Sequence, residues 1–166
     1  MDVVAAPYLA AALLLVVAGV AKALDPLSLV RALRAAGLPV RAPVLMPFVR
    51  VAAAFEAAVG AFAVVSPTRT AALAVAASYA GFTLFVLQAL RSGSPLASCG
   101  CFGKADTPPT RLHAIVTGAL SALSLVAAGR PGITLGLGLL VVTGVLAYLT
   151  YLVLAVLPLV SQRATR

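Results

Sequence analysis

Long apolar runs separated by short polar punctuation make up nearly the whole chain. The runs cover about Val3 to Leu24, Pro43 to Val65, Thr70 to Leu90, Leu112 to Ala128 and Ile133 to Val160. At roughly 18 to 28 residues, each is long enough to cross a hydrocarbon core of about 30 Å as a helix. Asp25-Pro26 supplies an N-cap and a first-turn proline for a shorter helix over about 26–36, where Leu27, Val30 and Leu33 recur at helical spacing and Arg31 and Arg34 occupy other faces. Gly37 and Pro39 form its stop signal, and its amphipathic pattern places it in the membrane interface. Ser66-Pro67-Thr68-Arg69 makes a hairpin of the second and third runs, and Gly129-Arg130-Pro131-Gly132 turns the chain between the fourth and fifth. The expected fold is an all-α polytopic membrane bundle of four or five transmembrane helices, a single integral membrane domain over residues 1–166.

Composition agrees: 63% of residues are hydrophobic and 10% charged, against about 25% charged in soluble domains. Asp2 before the first run and Lys22 after it reverse the basic start of a secretory signal peptide, so a retained helix is expected. The net charge of +8 does not point to nucleic acid, because its twelve basic residues are scattered between apolar runs without a stripe or interleaved exposed aromatics. They read instead as topology and headgroup anchors. Lys22, Arg31, Arg34, Arg41, Arg50, Arg91, Lys104, Arg111, Arg163 and Arg166 share one side of a five-span chain, with Arg69 and Arg130 on the other. The positive-inside rule then puts the N-terminus outside the cell membrane and the connection after Arg91 in the cytoplasm. If the last run does not cross, only the tail changes side.

That connection, Ser92 to Arg111, is the one long loop, and it holds both cysteines of the chain, in Ser98-Cys99-Gly100-Cys101-Phe102-Gly103. Long loops tend to carry function. One intervening glycine lets the two sulfurs meet, and the strain of so small a ring suits exchange better than permanent cross-linking. Gly100 permits unusual backbone angles, Gly103 can turn the loop back to the bilayer, and Phe102 can anchor it there. Two rival readings stand beside this one: small apolar cysteines packed in a glycine-rich loop, and zinc or copper ligands. Two thiolates supply half a tetrahedral shell, and His113 lies twelve residues on from Cys101.

Other polar positions are fewer. Glu56 falls near the middle of the second run, where a carboxylate is a functional candidate unless it pairs with a basic group or polar neighbour and fixes packing. Arg50 is not quite on its face, and Lys22 reads as a snorkelling end residue. His113, one turn into the fourth run, could lower a thiol pKa or transfer a proton, against an ordinary role as an interfacial polar residue. Tyr79, Gln88, Tyr148 and Tyr151 read as packing or interface residues in the absence of a bound quinone. Gly132 and Gly136 have the small-xxx-small spacing of close helix contacts. No phosphate-binding loop, His-Glu-x-x-His helix or nucleophile elbow occurs.

Taken together, Ala18-Gly19-Val20-Ala21-Lys22-Ala23-Leu24-Asp25-Pro26, Arg31-Ala32-Leu33-Arg34-Ala35-Ala36-Gly37-Leu38, Glu56 with Gly60, and Cys99-Gly100-Cys101-Phe102-Gly103 resemble the MauE family of methylamine-utilisation membrane proteins, within the DoxX-like group. The resemblance covers roughly residues 7 to 128 and implies a four-helix core, to which the long last run adds a fifth transmembrane helix. It further implies a part in processing, transport or maturation of the methylamine dehydrogenase light subunit, an exported protein rich in disulfides. By carry-over, Cys99 and Cys101 match the family's paired thiols, and Lys22, Asp25 and Glu56 its polar positions. The fourth run opens Thr110-Arg111-Leu112-His113, without the family's Arg-Asn pair slightly further in.

The expected function is therefore that of a membrane thiol-disulfide protein, a candidate oxidoreductase, whose partner is a thioredoxin-like protein or an exported disulfide-containing substrate. Its surroundings are the lipid bilayer, and self-association is open. No cofactor is expected, with quinone, zinc and copper left open. The alternatives are a non-catalytic scaffold or chaperone and a small metal- or solute-handling protein.

Overall fold

In the computed structural model, residues 3–35, 37–91, 110–130, 133 and 135–156 are described. Cys99 and Cys101 lie outside them. The helices are α1 (Ala5–Leu24), α2 (Leu27–Ala35), α3 (Ala42–Val65), α4 (Arg69–Arg91), α5 (Arg111–Ala128) and α6 (Leu137–Tyr151), with a π-turn over Leu152–Val156 continuing α6. No strand occurs among the described residues. α1, α3, α4, α5 and the stretch Leu137–Val156 are each long and apolar enough to cross a membrane, so the chain is the all-α polytopic bundle that its apolar runs imply.

The short second helix is set by its ends. The Leu27 N–H donates to Asp25 Oδ1 at 3.3 Å, which satisfies an orphan donor of the first turn. At the other end Gly37 adopts φ 94°, while Leu38 N donates to Leu33 O and Gly37 N to Arg34 O. This is a Schellman closure, and its left-handed position is open to glycine without a Cβ penalty. The apolar side of α2 packs through Val30 onto Leu45 and Val49 of α3, and through Ala32 onto Ala89 of α4. The last spanning helix differs from its apolar run: α6 begins at Leu137, because Gly136 is extended and serves as its N-cap. Gly136 has open space where a Cβ would stand, so it starts a helix rather than making a helix contact. Gly132 lies outside the described residues.

α1 is the central helix, packed against α3, α4, α5 and α6. Its partner α3 runs antiparallel, and the two backbones touch at two glycines. A Cβ on Gly19 would stand 2.6 Å from both Ala53 O and Ala57 N, and one on Gly60 would stand 2.6 Å from Ala12 O. Small residues permit such approach in a membrane, where lipid is as apolar as the helices themselves and association rests on packing and hydrogen bonds. Gly19→Ala and Gly60→Ala are each expected to destabilise the bundle by roughly 1–3 kcal/mol through overpacking. Thermal unfolding in detergent measures this, with Gly81→Ala, which meets nothing within 4 Å, as the control. Midpoints equal to that control would rule out the close crossing.

Tyrosine and serine add polar ties. Tyr79 Oη donates to Ala11 O at 2.9 Å, and Ser121 Oγ donates to Ala76 O at 2.9 Å, linking α4 to α1 and α5 to α4. Buried Ser124 donates to the carbonyl four residues back, which satisfies its hydroxyl without water. The outward faces are apolar, with Phe48, Phe55 and Phe62 exposed along α3.

Candidate functional site

The ends of α1 and α4 and the start of α5 gather at one end of the bundle. α1 and α4 each run antiparallel to α3, and α5 returns antiparallel to α4, as the Thr83–Thr117 and Ser121–Ala76 bonds require. The segment holding both cysteines joins Arg91 to Thr110 at that end. Inside it lies a buried polar seam.

Its deepest part is an ion pair. Lys22 Nζ donates to Glu56 Oε2 at 2.6 Å and to Oε1 at 2.8 Å, with the two side chains 4% and 11% exposed. The Phe82 ring lies 4.4 Å from the same nitrogen. The ammonium therefore meets both carboxylate oxygens and an aromatic face, a cation–π contact that gains strength away from water. These groups come from α1, α3 and α4, so the pair clamps three helices. The Gly19 contact lies one turn before Lys22 and sets the short backbone separation that lets the lysine reach. Phe82 is nine residues before the end of α4, which is about 14 Å along a helix.

Thr83, next to Phe82, donates to Thr117 Oγ1 at 2.9 Å, and Thr117 donates to His113 O at 2.7 Å. His113 is 1% exposed. Its Nε2 meets Leu154 O of the π-turn at 3.0 Å. A carbonyl can only accept, so Nε2 carries the proton. Nδ1 is then the acceptor for Thr110 N at 3.3 Å and Thr110 Oγ1 at 2.8 Å. Thr110 Oγ1 in turn accepts from His113 N, closing a capping box with histidine in the place usually taken by glutamate or glutamine. His113 thus fixes the start of α5, where the cysteine segment ends, against the continuation of α6. His113→Ala is expected to cost about 1–3 kcal/mol, because it strands buried donors and acceptors. An unchanged unfolding midpoint in detergent would contradict the assignment.

The family model for "Methylamine utilisation protein MauE" matches residues 2–130. The chain belongs to the MauE family. It is thus a multi-pass membrane protein of the methylamine-utilisation type. No curated protein and no solved structure matches it. The family match covers the polar seam except Leu154, together with the segment containing Cys99 and Cys101.

Of the MauE residues singled out in the sequence, Glu56 lies against Lys22, and His113 lies at the α5 cap; no hydrogen bond or ion pair joins the two. Cys99 and Cys101, and with them the zinc or copper ligand set that adds His113, fall outside the described residues. No group of three His, Cys, Asp or Glu side chains forms among the described residues. Lys22 is a correction: it does not snorkel to the interface but is 3% exposed and turned inward. Desolvating its charge is compensated by Glu56, which the sequence places thirty-four residues away. Phe82, Thr83 and Thr117 carry no sequence mark of their own, since isolated aromatic and hydroxyl residues are common in spanning helices.

Proposed function

We propose that this MauE protein is a membrane thiol-disulfide protein working through Cys99 and Cys101, and that it assists maturation, processing or transport of an exported redox protein. By family, that protein is the methylamine dehydrogenase light subunit. The observation that carries the reading is the family match across Cys99-Gly100-Cys101-Phe102-Gly103. The polar seam supports it by giving that segment a fixed attachment at Thr110 and His113.

In the simplest cycle, the thiolate of one cysteine attacks a partner disulfide, forming a mixed disulfide and releasing one partner thiol. The second cysteine then attacks its neighbour's sulfur, forming the Cys99–Cys101 disulfide and releasing the second partner thiol. Two electrons pass to the partner, and the two protons of the cysteine thiols end on the partner's thiols. The reverse sequence oxidises a partner dithiol. A thioredoxin-like protein or the exported substrate itself fits either direction.

The setting is the cell membrane, with the cysteine segment on the cytoplasmic side. Supporting this orientation, Arg31, Arg34, Arg41, Arg50, Arg91 and Arg111 are exposed toward that end, against Arg69 and Arg130 at the other. An exported partner favours the opposite face, and two cysteines in one loop cannot carry electrons across a bilayer, so a cytoplasmic loop requires a separate transmembrane carrier. Complementation tests the proposal: the double Cys99→Ser/Cys101→Ser protein is expected not to restore maturation of the partner. Full restoration would replace thiol exchange with a scaffold role.

A further inference from the structure

The last spanning helix is held differently from the others. α6 and its π-turn lie beyond residues 2–130, the part of the chain that the family model matches. Its spanning window is the least buried of the five, at 17% against 56% for α1, the helix it packs on. That contact is imperfect. A groove of about 250 Å³ remains between the two, walled by Leu13, Leu14 and Val17 of α1 and by Ala147, Tyr148 and Tyr151 of α6. Apolar walls that do not meet forfeit dispersion, a main source of attraction between helices in lipid. Thr143, one helical turn from Ala147 on the same side of α6, is 2% exposed, and its hydroxyl finds no hydrogen-bond partner among the described residues. The hydroxyls buried in α5, on Thr117, Ser121 and Ser124, all reach carbonyls. An unmade bond in a buried place works against docking.

At its far end the same helix is tied. The π-turn buries Leu154 and Ala155 and brings Leu154 O to 3.0 Å from His113 Nε2. The other ring nitrogen of that imidazole accepts from Thr110 N and closes the cap of α5. One rigid ring therefore joins both helices, and it cannot follow a retreating α6 without leaving the cap. A helix start that loses its cap has unsatisfied N–H groups and frays.

We propose that α6 is a releasable strap that regulates the thiol pair. Docked, with Leu154 on His113, it holds the α5 cap closed and gives the segment carrying Cys99 and Cys101 a fixed attachment at Thr110. Released, it lets the first turn of α5 open and removes that attachment. Loose packing along α1 and a single polar tie at the end are what such a strap needs: the helix can leave, and its leaving is felt at one place. The consequence for the cysteines rests on the thiol reading proposed above, whereas the strap itself is measured at α5.

The test uses two substitutions in the full chain that act on α6 in opposite directions and leave His113 and Thr110 intact. Leu154→Ala removes buried packing from the π-turn, and Thr143→Val replaces the unpartnered hydroxyl with a methyl group of similar size. Hydrogen–deuterium exchange in detergent, read by mass spectrometry, follows the first turn of α5, and the rate of maleimide labelling of the reduced protein follows the cysteines. Leu154→Ala is expected to speed first-turn exchange at least about tenfold, since truncating a buried leucine costs more than a typical hydrogen bond, and to raise the labelling rate with it. Thr143→Val is expected to slow both, and exchange in α3 is expected to stay at wild-type rates in both proteins. First-turn exchange that stays unchanged while α6 loosens would overturn the strap, as would acceleration spread evenly over all the helices or faster exchange in Thr143→Val. A first turn that opens without a change in labelling rate would overturn its regulation of the thiols. Labelling counts reactive sulfur whether or not a disulfide cycle runs, so a failed exchange assay leaves each of these results readable.

Discussion

Replacing either Cys99 or Cys101 with serine is expected to abolish thiol-disulfide exchange while the helical bundle stays folded. Exchange needs an attacking thiolate and a second sulfur to resolve the mixed disulfide. A serine hydroxyl does neither at neutral pH. The two single variants should differ from each other: the protein that keeps the attacking cysteine should accumulate a covalent complex with its partner, whereas the other should form none. Non-reducing electrophoresis after partner incubation reads this directly and assigns the order of attack. Fold is expected to be insensitive, because Tyr8, Leu9, Leu15, Val75 and Tyr79 build a buried core from α1 and α4, and serine is close to cysteine in size. Exchange at wild-type rate by either variant would contradict the mechanism.

The second large effect concerns the clamp at the base of the seam. Lys22→Met or Glu56→Leu alone is expected to destabilise the protein by about 3–5 kcal/mol, since each leaves one charge buried without its partner. The double variant is expected to recover most of that loss, because two apolar side chains of similar volume need no hydration. Unfolding midpoints in one detergent compare the three. Near-additive losses would mean that Lys22 and Glu56 act separately, against the 2.6 Å contact between them. The cycle also separates structure from chemistry. A stable double variant that still supports maturation makes the pair a fastening for α1, α3 and α4, whereas a stable but inactive one gives it a part in function.

How far these features were legible in the sequence follows from the range of the forces involved. Spanning helices could be read because insertion depends on the apolarity of local windows, and the α2 stop could be read because Gly37 at positive φ is a local requirement. The clamp was hidden. Lys22 sits near a helix end, where a snorkelling lysine and an inward-facing lysine look alike, and its partner is set by how α1 crosses α3. Glycine spacing misled for a similar reason: Gly132 and Gly136 have the expected interval, yet Gly136 caps a helix, while the close approach falls on Gly19 and Gly60, one on each partner. For His113, position predicted a polar residue at a helix start. Its double role as cap acceptor and donor to Leu154 depends on α6 arriving beside it.

The most direct measurement of the central claim is maleimide labelling of Cys99 and Cys101 in intact cells and inverted vesicles, with and without prior reduction. A reversible disulfide on the cytoplasmic face predicts labelling that appears only after reduction and only in inverted vesicles. Thiols that label freely under every condition and ignore added oxidant would contradict a redox pair.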